Sequence, residues 1–228
     1  MGHKYDYVID CDDDSAPARV VRMVGSDKRV LEIGAGPGSI SRVLQEKFNC
    51  RVTALENDDA VISRLKTSCI RVYKADLNDS SWPDVLKDET PFDVVVAADV
   101  LEHLYDPWSV LRQMKGLVGD EGYVVISLPH AGYNGLIAGL LDEDLEYRDC
   151  GLLDQTHIRF FGIKNMQALF EDAGLAIVDA QFVIRFPEDT EFAEAWAKTS
   201  APARTLLLKN RFGPVYQVVA KAVSNESA

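Results

Sequence analysis

Three glycines at alternate positions, directly after a short apolar run, form the part of this chain best suited to ligand chemistry. The run Val30 to Ile33 carries one acid, Glu32, and continues into Gly34-Ala35-Gly36-Pro37-Gly38. Glycine lets the backbone turn sharply and approach a ligand closely. Residues 39–44 then show helical spacing of apolar side chains, so amide donors at a helix start would face the ligand. The pattern predicts a loop that binds an adenosine-containing molecule.

The spacing of these glycines separates two classes of nucleotide-binding loop. A dinucleotide fold uses G-x-G-x-x-G, whereas this chain has G-x-G-x-G and places Ser39 where the third dinucleotide glycine belongs. The Glu32 carboxylate would repel a diphosphate but attract a cationic ligand. The segment resembles motif I of the class I S-adenosylmethionine-dependent methyltransferases. In that family the acid and the glycine loop surround the methionine part of the cofactor, which implies contacts from Glu32, Gly34, Ala35, Gly36 and Gly38.

Three later segments are similar to further motifs of the same family, in the same order. The apolar run 51–55 ends in Glu56, about 20 positions after the glycines, where an acid accepts hydrogen bonds from ribose hydroxyls. The pair Asp76-Leu77 resembles the element that meets the adenine, and residues 92–104 resemble the fourth strand and the loop after it. The resemblance implies S-adenosylmethionine as cofactor and S-adenosylhomocysteine as product. The further cofactor contacts that it implies are Glu56, Asn57, Asp76, Leu77, Ala98 and Asp99.

Alternating strand and helix patterns must position these motifs. We predict strands near 28–33, 51–55, 70–75, 92–98 and 122–128, and helices near 16–24, 39–48, 58–66, 81–87 and 106–117. Such alternation indicates an α/β fold with right-handed crossovers and helices on both faces of a mostly parallel sheet. Beyond it we predict a helix over 163–173, a strand over 175–184 and helical structure over 188–209. The run 215–223 pairs antiparallel with the strand at 175–184, as the last strand of the seven-stranded, Rossmann-like family fold does.

The connection 129–162 is long for a compact domain and follows the carboxyl end of a central strand, where open α/β sheets bind ligands. We therefore expect an acceptor-site insertion there, within a single domain of residues 1–228 whose first 25 residues form an N-terminal cap. Its part 147–161 is similar to a motif in bacterial methyltransferases associated with cell-surface polysaccharide synthesis. That resemblance implies a sugar hydroxyl as acceptor.

A hydroxyl acceptor needs a group that takes its proton, and histidine is suited because its pKa lies near working pH. Of the four histidines in the chain, His130 and His157 fall in the insertion and are the candidate catalytic bases. The alternative is that His157 and Arg159 tie the insertion down through Asp149 or Asp154. The candidate contacts to the acceptor are His103, Tyr133, Asp154 and Arg159.

The segment Asp99 to His103 has two interpretations. If it were helical, Asp99, Glu102 and His103 would share one face and could bind a divalent metal, and some quinone-directed O-methyltransferases similar in this segment use such a cluster. We favour the other interpretation, in which Glu102 and His103 anchor the loop and Asp99 faces the cofactor pocket. No metal is predicted.

The composition of the chain limits the classes of partner and the cellular location that we expect. The chain has 24 basic and 36 acidic side chains in 228 residues, a net charge of -12, which disfavours nucleic acid as a partner. The four cysteines are scattered, so neither a disulfide framework nor a zinc site is expected, in keeping with a cytoplasmic location. No apolar run is long enough to predict a membrane span. We expect a monomer or homodimer that acts on a small-molecule or sugar acceptor.

The sequence thus predicts a methyltransferase that uses S-adenosylmethionine to methylate a hydroxyl oxygen of a small molecule or glycan. Transfer to nitrogen or carbon of a small metabolite is one alternative. The other is a non-catalytic regulatory protein that binds the cofactor without turnover. Intact glycines and the acid at Glu56 favour an active enzyme.

Overall fold

A seven-stranded sheet with the order β3-β2-β1-β4-β5-β7-β6 forms the centre of the protein. The computed structural model describes residues 5–225. Strands β1 to β7 are Arg29–Ile33, Arg51–Glu56, Arg71–Lys74, Phe92–Ala98, Val118–Pro129, Leu175–Ile184 and Val215–Ser224. Strands β1 to β5 pair in parallel, and β7 runs antiparallel between β5 and β6. The predicted mostly parallel sheet with an antiparallel last strand is confirmed.

The helices connect the strands much as the sequence predicts. Helices α1 to α8 are Ala16–Val24, Ser39–Phe48, Asp59–Leu65, Pro107–Lys115, Asn134–Leu141, Ile163–Asp172, Ala193–Lys198 and Ala201–Leu207. Short 3₁₀ helices occupy Trp82–Leu86, Leu101–His103 and Pro187–Asp189, so the predicted helix over 81–87 is only a 3₁₀ turn. The single helical stretch predicted over 188–209 is divided. Thr199 and Ser200 are extended, and Pro202 lies in the first turn of α8, where proline is tolerated; inside one continuous helix it would remove a hydrogen bond and clash with the carbonyl four residues earlier.

Central strands bury side chains on both faces, which explains their continuous apolar runs. On β4, Val94 and Val96 belong to a core shared with α1 and α2. Val95 and Ala97 belong to the opposite core, which includes buried residues of α4 and α6. Each strand is thereby fixed in register, because a slip of one residue would exchange the two faces. The fixed register also fixes where each strand ends, and so where the following loops begin, at the carboxyl edge of the sheet.

The 129–162 connection is docked onto that edge. The backbone oxygen of Glu102 accepts hydrogen bonds from Ile158 N at 2.9 Å and Arg159 N at 3.0 Å, which joins the insertion to the loop after β4. A small apolar cluster supports the other side and consists of Tyr133, Leu136, Leu152, Leu153 and Phe192. The insertion is ordered by these contacts and forms one wall of the site. Within residues 5–225, no helix has the length and apolar character needed to cross a bilayer.

Candidate functional site

A cavity of about 670 Å³ lies at the carboxyl edge of the sheet, between the loops after β1 to β4, the insertion and the N-terminal segment. It is the place where a parallel α/β sheet usually binds its ligand. The structure brings together on its wall the predicted residues Glu32, Gly34, Ala35, Gly36, Glu56, Asn57, Asp76, Leu77, Ala98, Asp99, His103, Asp154 and His157. Gly38, His130, Tyr133 and Arg159 are not among the lining residues.

The glycine loop is built around left-handed backbone conformations. Gly34, Gly36 and Gly38 have φ of 63°, 54° and 84°, a region that side chains with a Cβ rarely adopt. A Cβ at Gly34 would lie 2.8 Å from a methyl carbon of Val100, and one at Gly38 would lie 2.9 Å from Leu65 Cδ2. A Cβ at Gly36 would meet nothing within 4 Å. Gly34 and Gly38 therefore serve packing, whereas Gly36 leaves room that the protein itself does not use.

Glu32 is buried beneath this loop, with 3% of its surface exposed. Its Oε2 accepts a hydrogen bond from the Ser41 hydroxyl on α2. Burial raises the pKa of Glu32 to about 7, against the lowering effect of the Ser41 hydrogen bond. A buried carboxylate of this kind is stabilised by a cationic neighbour.

Glu56 ends β2 and folds back over the glycine loop. Its Oε2 accepts from Gly36 N at 2.7 Å, and its Oε1 accepts from Asn57 N at 2.7 Å and Asp58 N at 2.9 Å. These three amides fix the carboxylate at the cavity wall. In the loop after β3, Asp76 Oδ1 accepts a hydrogen bond from Asn78 N at 2.9 Å. Both acids line the cavity, and their contacts with ribose and adenine stay a prediction from the family resemblance.

Asp99 follows β4 with a φ of 53°. Its Oδ1 accepts from Ser127 Oγ at 2.6 Å and from Gln217 Nε2 at 2.7 Å. Gln217 lies on β7, 118 residues further along the chain, and no local pattern in the sequence could have indicated it. The carboxylate is already engaged by these two partners at the cavity wall.

The N-terminal segment crosses the mouth of the cavity. Tyr5 OH donates to Asp154 Oδ2 at 2.9 Å, and Tyr7 N donates to Ser39 Oγ at 3.2 Å. Asp6 forms a bidentate ion pair with Arg64 on α3, at 2.6 and 2.7 Å. Burial, together with the nearby acids, raises the pKa of the Tyr7 hydroxyl. This segment joins α3 to the insertion across the ligand space.

On the side of the insertion, the cavity wall includes Glu102, which is fully buried. Neither of its carboxylate oxygens has a hydrogen-bond partner within residues 5–225, and Oε1 lies 3.8 Å from His157 Nε2. Burial, then the charge of Asp99, raises the pKa of Glu102 well above its ordinary value. His103 completes the group, with its ring centroid 4.7 Å from that of His157. Glu102, His103 and His157 offer ligand atoms within 4.8 Å of one another, so His157, rather than Asp99, is the third member of this cluster.

Besides Gly38, three predicted residues, all in the insertion, lie away from the cavity wall. His130 is 3% exposed, and its Nδ1 donates to Val215 O at 2.9 Å. Tyr133 is fully buried in contact with the rings of Phe192 and Tyr216. The guanidinium of Arg159 donates to Tyr105 O and stacks on Trp108. These side chains hold the insertion in place, and of the two candidate bases only His157 reaches the cavity.

Comparison with known proteins agrees with this geometry. A family model described as a methyltransferase domain matches residues 12–180. The sarcosine/dimethylglycine N-methyltransferase of Halorhodospira halochloris is 28% identical over 127 residues, which cover 53% of this chain and 46% of that protein. The ubiquinone biosynthesis O-methyltransferase of Stutzerimonas stutzeri is 25% identical over 154 residues, covering 67% of this chain and 66% of that protein. The matched region thus spans about half to two thirds of these relatives.

Solved structures share the fold at low sequence identity. A SAM-dependent methyltransferase from Archaeoglobus fulgidus superposes with a TM-score of 0.62 at 18% identity, covering 90% of this chain and 91% of that one. Magnesium protoporphyrin IX methyltransferase from Synechocystis, with bound SAH, gives a TM-score of 0.60 at 15% identity, covering 92% and 81% of the two chains.

Proposed function

This chain belongs to the methyltransferase domain family, and on that premise we propose that it transfers the methyl group of S-adenosylmethionine to a small-molecule acceptor. The observation that carries the proposal is the acid-and-glycine loop at the cavity. Gly36 has a positive φ and open space where a Cβ would lie, so the loop has room for a ligand against its backbone.

The chain's own residues fit such a cofactor. Glu32 offers a negative charge beneath the loop, where the positively charged methionine part would lower its pKa from about 7. Glu56 stands at the wall with its orientation fixed by three backbone amides, ready to accept from ribose hydroxyls. Asp76 and Leu77 line the side assigned to adenine. When bound, S-adenosylmethionine supplies an electrophilic methyl carbon on a positively charged sulfur.

The acceptor would enter from the side of the insertion. We propose a hydroxyl oxygen as the atom methylated, with His157 as the base that takes its proton. Burial, and then the neighbouring His103, lowers the pKa of His157, so its ring is neutral at pH 7 and able to accept. His130 is not part of this proposal, because its Nδ1 is bonded to Val215 O and it does not line the cavity.

A nitrogen acceptor is the second candidate, and a specific observation favours it. Seven carboxylates line the cavity, from Glu32, Glu56, Asp58, Asp76, Asp99, Glu102 and Asp154, and among the described residues no lysine or arginine lines it. Such a wall would repel phosphate and carboxylate groups. An amine fits this wall, because it can bind as its ammonium form and give one proton to His157 before the freed nitrogen lone pair takes the methyl group. A nucleotide sugar would bring its diphosphate against the same wall.

Calorimetric titration with S-adenosylmethionine and S-adenosylhomocysteine, with NAD as the control, tests the cofactor assignment. We expect micromolar dissociation constants for the first two and no binding of NAD. The matched variant Gly36→Val should lose both ligands while keeping a cooperative thermal transition. Binding of NAD alone would overturn the assignment, and cofactor binding with no turnover on any acceptor would favour a regulatory protein.

A further inference from the structure

With Glu102 ionised, the free atoms of Glu102, His103 and His157 face one another as hydrogen-bond acceptors. Both Glu102 oxygens lack a partner although the side chain is fully buried. Leaving a buried polar group unpaired is costly, and an unpaired charge costs more. Among the described residues, Glu102 is the buried carboxylate at this cavity with neither oxygen bonded. The cluster is therefore incomplete as the chain alone forms it.

The two imidazole rings have their tautomers fixed by backbone oxygens. His157 Nδ1 lies 3.2 Å from Leu152 O, and a carbonyl oxygen only accepts, so Nδ1 carries the proton. His103 Nδ1 lies 3.1 Å from Thr156 O. The Thr156 hydroxyl, 3.0 Å from the same nitrogen, uses its own proton for Asp154 Oδ1. In each neutral ring the other nitrogen, Nε2, is left with a lone pair.

A partner that completes the ionised cluster is therefore a donor, and the carboxylates around the cluster favour a positively charged one. Asp99 and Asp154 both raise the pKa of Glu102 through their own charges. Asp154 is also held by Tyr5 and Thr156, so it does not supply a donor to Glu102. A cation bound here would be attracted by several carboxylates at once.

We propose that the acceptor carries a protonated amine, and that this ammonium group binds between Glu102, His103 and His157. An ammonium has three N–H donors, which match one carboxylate oxygen and two imidazole nitrogens. One ligand atom from each residue lies within 4.8 Å of the other two, and Glu102 Oε1 is 3.8 Å from His157 Nε2, so a single nitrogen can lie within about 2.9 Å of all three. The inference rests on the proposed function and develops its second candidate, the nitrogen acceptor, because an ammonium bonded to His157 Nε2 occupies the lone pair that a hydroxyl proton would need.

The test uses the full chain saturated with S-adenosylhomocysteine and two matched sets of probes at pH 7.5. The sets are benzylamine, benzyl alcohol and benzoate, and butylamine, butanol and butyrate, each titrated to 10 mM by calorimetry. Glu102→Gln removes the charge and keeps the shape of the side chain. Glu46→Gln, on the exposed side of α2, is the control for losing one negative charge elsewhere.

We expect each amine to bind at least tenfold more tightly than its alcohol, and each carboxylate to bind more weakly still. Glu102→Gln should weaken amine binding at least tenfold and change alcohol binding less than twofold, while Glu46→Gln changes neither. Equal binding of amine and alcohol, an amine affinity that survives Glu102→Gln, or no amine binding to 10 mM would overturn the proposal.

Two further arms separate this inference from its rivals. Titration with MnCl₂ alone tests whether a metal ion takes the same place, and micromolar Mn²⁺ binding that disappears in Glu102→Gln would assign the cluster to a metal and overturn the ammonium. Binding of S-adenosylhomocysteine is measured in every variant and should stay within twofold. Its absence in the natural chain would refute the proposed function itself, a different result from loss of amine binding.

Discussion

Replacing Gly34 or Gly36 by alanine should separate the role of the glycine loop in folding from its role in binding. Both residues have positive φ, 63° and 54°, so both substitutions force a side chain into a left-handed conformation. The environments differ. The new methyl group at Gly34 would lie 2.8 and 3.2 Å from the two methyl carbons of Val100, whereas at Gly36 it would enter open space.

The expected loss of unfolding free energy follows from these contacts. Left-handed backbone costs a residue with a Cβ about 1–2 kcal/mol, and this is the whole cost for Gly36→Ala. Gly34→Ala adds overpacking against Val100, which costs about 1–3 kcal/mol, for a total of about 2–5 kcal/mol. At about 2–4 °C per kcal/mol for a chain of this size, Gly34→Ala should lower the melting temperature clearly more than Gly36→Ala.

Cofactor affinity should not follow thermal stability in these variants. We expect Gly36→Ala, the more stable variant, to bind S-adenosylhomocysteine at least tenfold more weakly than the natural chain. Thermal unfolding without ligand gives the first quantity, and calorimetry at a temperature where both variants are folded gives the second. An unchanged dissociation constant in Gly36→Ala, or equal melting temperatures for the two variants, would refute the assignment of Gly36 to the ligand and Gly34 to packing.

Three further substitutions have defined outcomes. Glu56→Ala should weaken S-adenosylhomocysteine binding in calorimetry by about 1–3 kcal/mol, because it leaves ribose hydroxyls unpaired; an unchanged affinity would remove Glu56 from the cofactor site. Since the pKa of Glu102 is raised in the folded state, its stabilising contribution is present at low pH and is lost as pH rises. The free energy of unfolding, measured with urea, should therefore fall less steeply above pH 4.5 in Glu102→Gln than in the natural chain, by up to about 1.4 kcal/mol per pH unit. Parallel plots of this free energy against pH would contradict the burial of this acid. Ser41→Ala removes the donor to Glu32 and should destabilise the fold more at pH 8.5 than at pH 5.5, because that bond stabilises ionised Glu32 more than the protonated acid; an equal loss of unfolding free energy at both pH values would contradict this.

The cofactor side could be predicted from the sequence because its residues stand beside the strands that position them. Glu32 and Gly36 flank the end of β1, and Glu56 ends β2. Once parallel pairing is inferred from the alternation, the carboxyl ends of neighbouring strands must meet at one edge. Local patterns were sufficient for this part of the site.

The acceptor side depends on the path of the backbone between distant segments, which local patterns do not specify. His130 and His157 lie in the same insertion, yet His130 is bonded to Val215 O, 85 residues away, and only His157 reaches the cavity. The metal interpretation considered for Asp99, Glu102 and His103 assumed a helix. In the structure Asp99 has a positive φ and the 3₁₀ helix begins at Leu101, so Asp99 turns to Ser127 and Gln217 instead.

The position of β7 has a consequence for synthesis of the chain. Its ten residues, Val215–Ser224, lie between β5 and β6, although they are made after the six other strands. Until they leave the ribosome, β5 has one unpaired edge and β6 has no neighbour in the sheet. An unpaired apolar strand edge is a template for aggregation. A premature stop codon before Val215 should therefore yield insoluble protein rather than a shortened but folded one, even though the glycine loop, Glu56 and the Glu102 cluster are already synthesised.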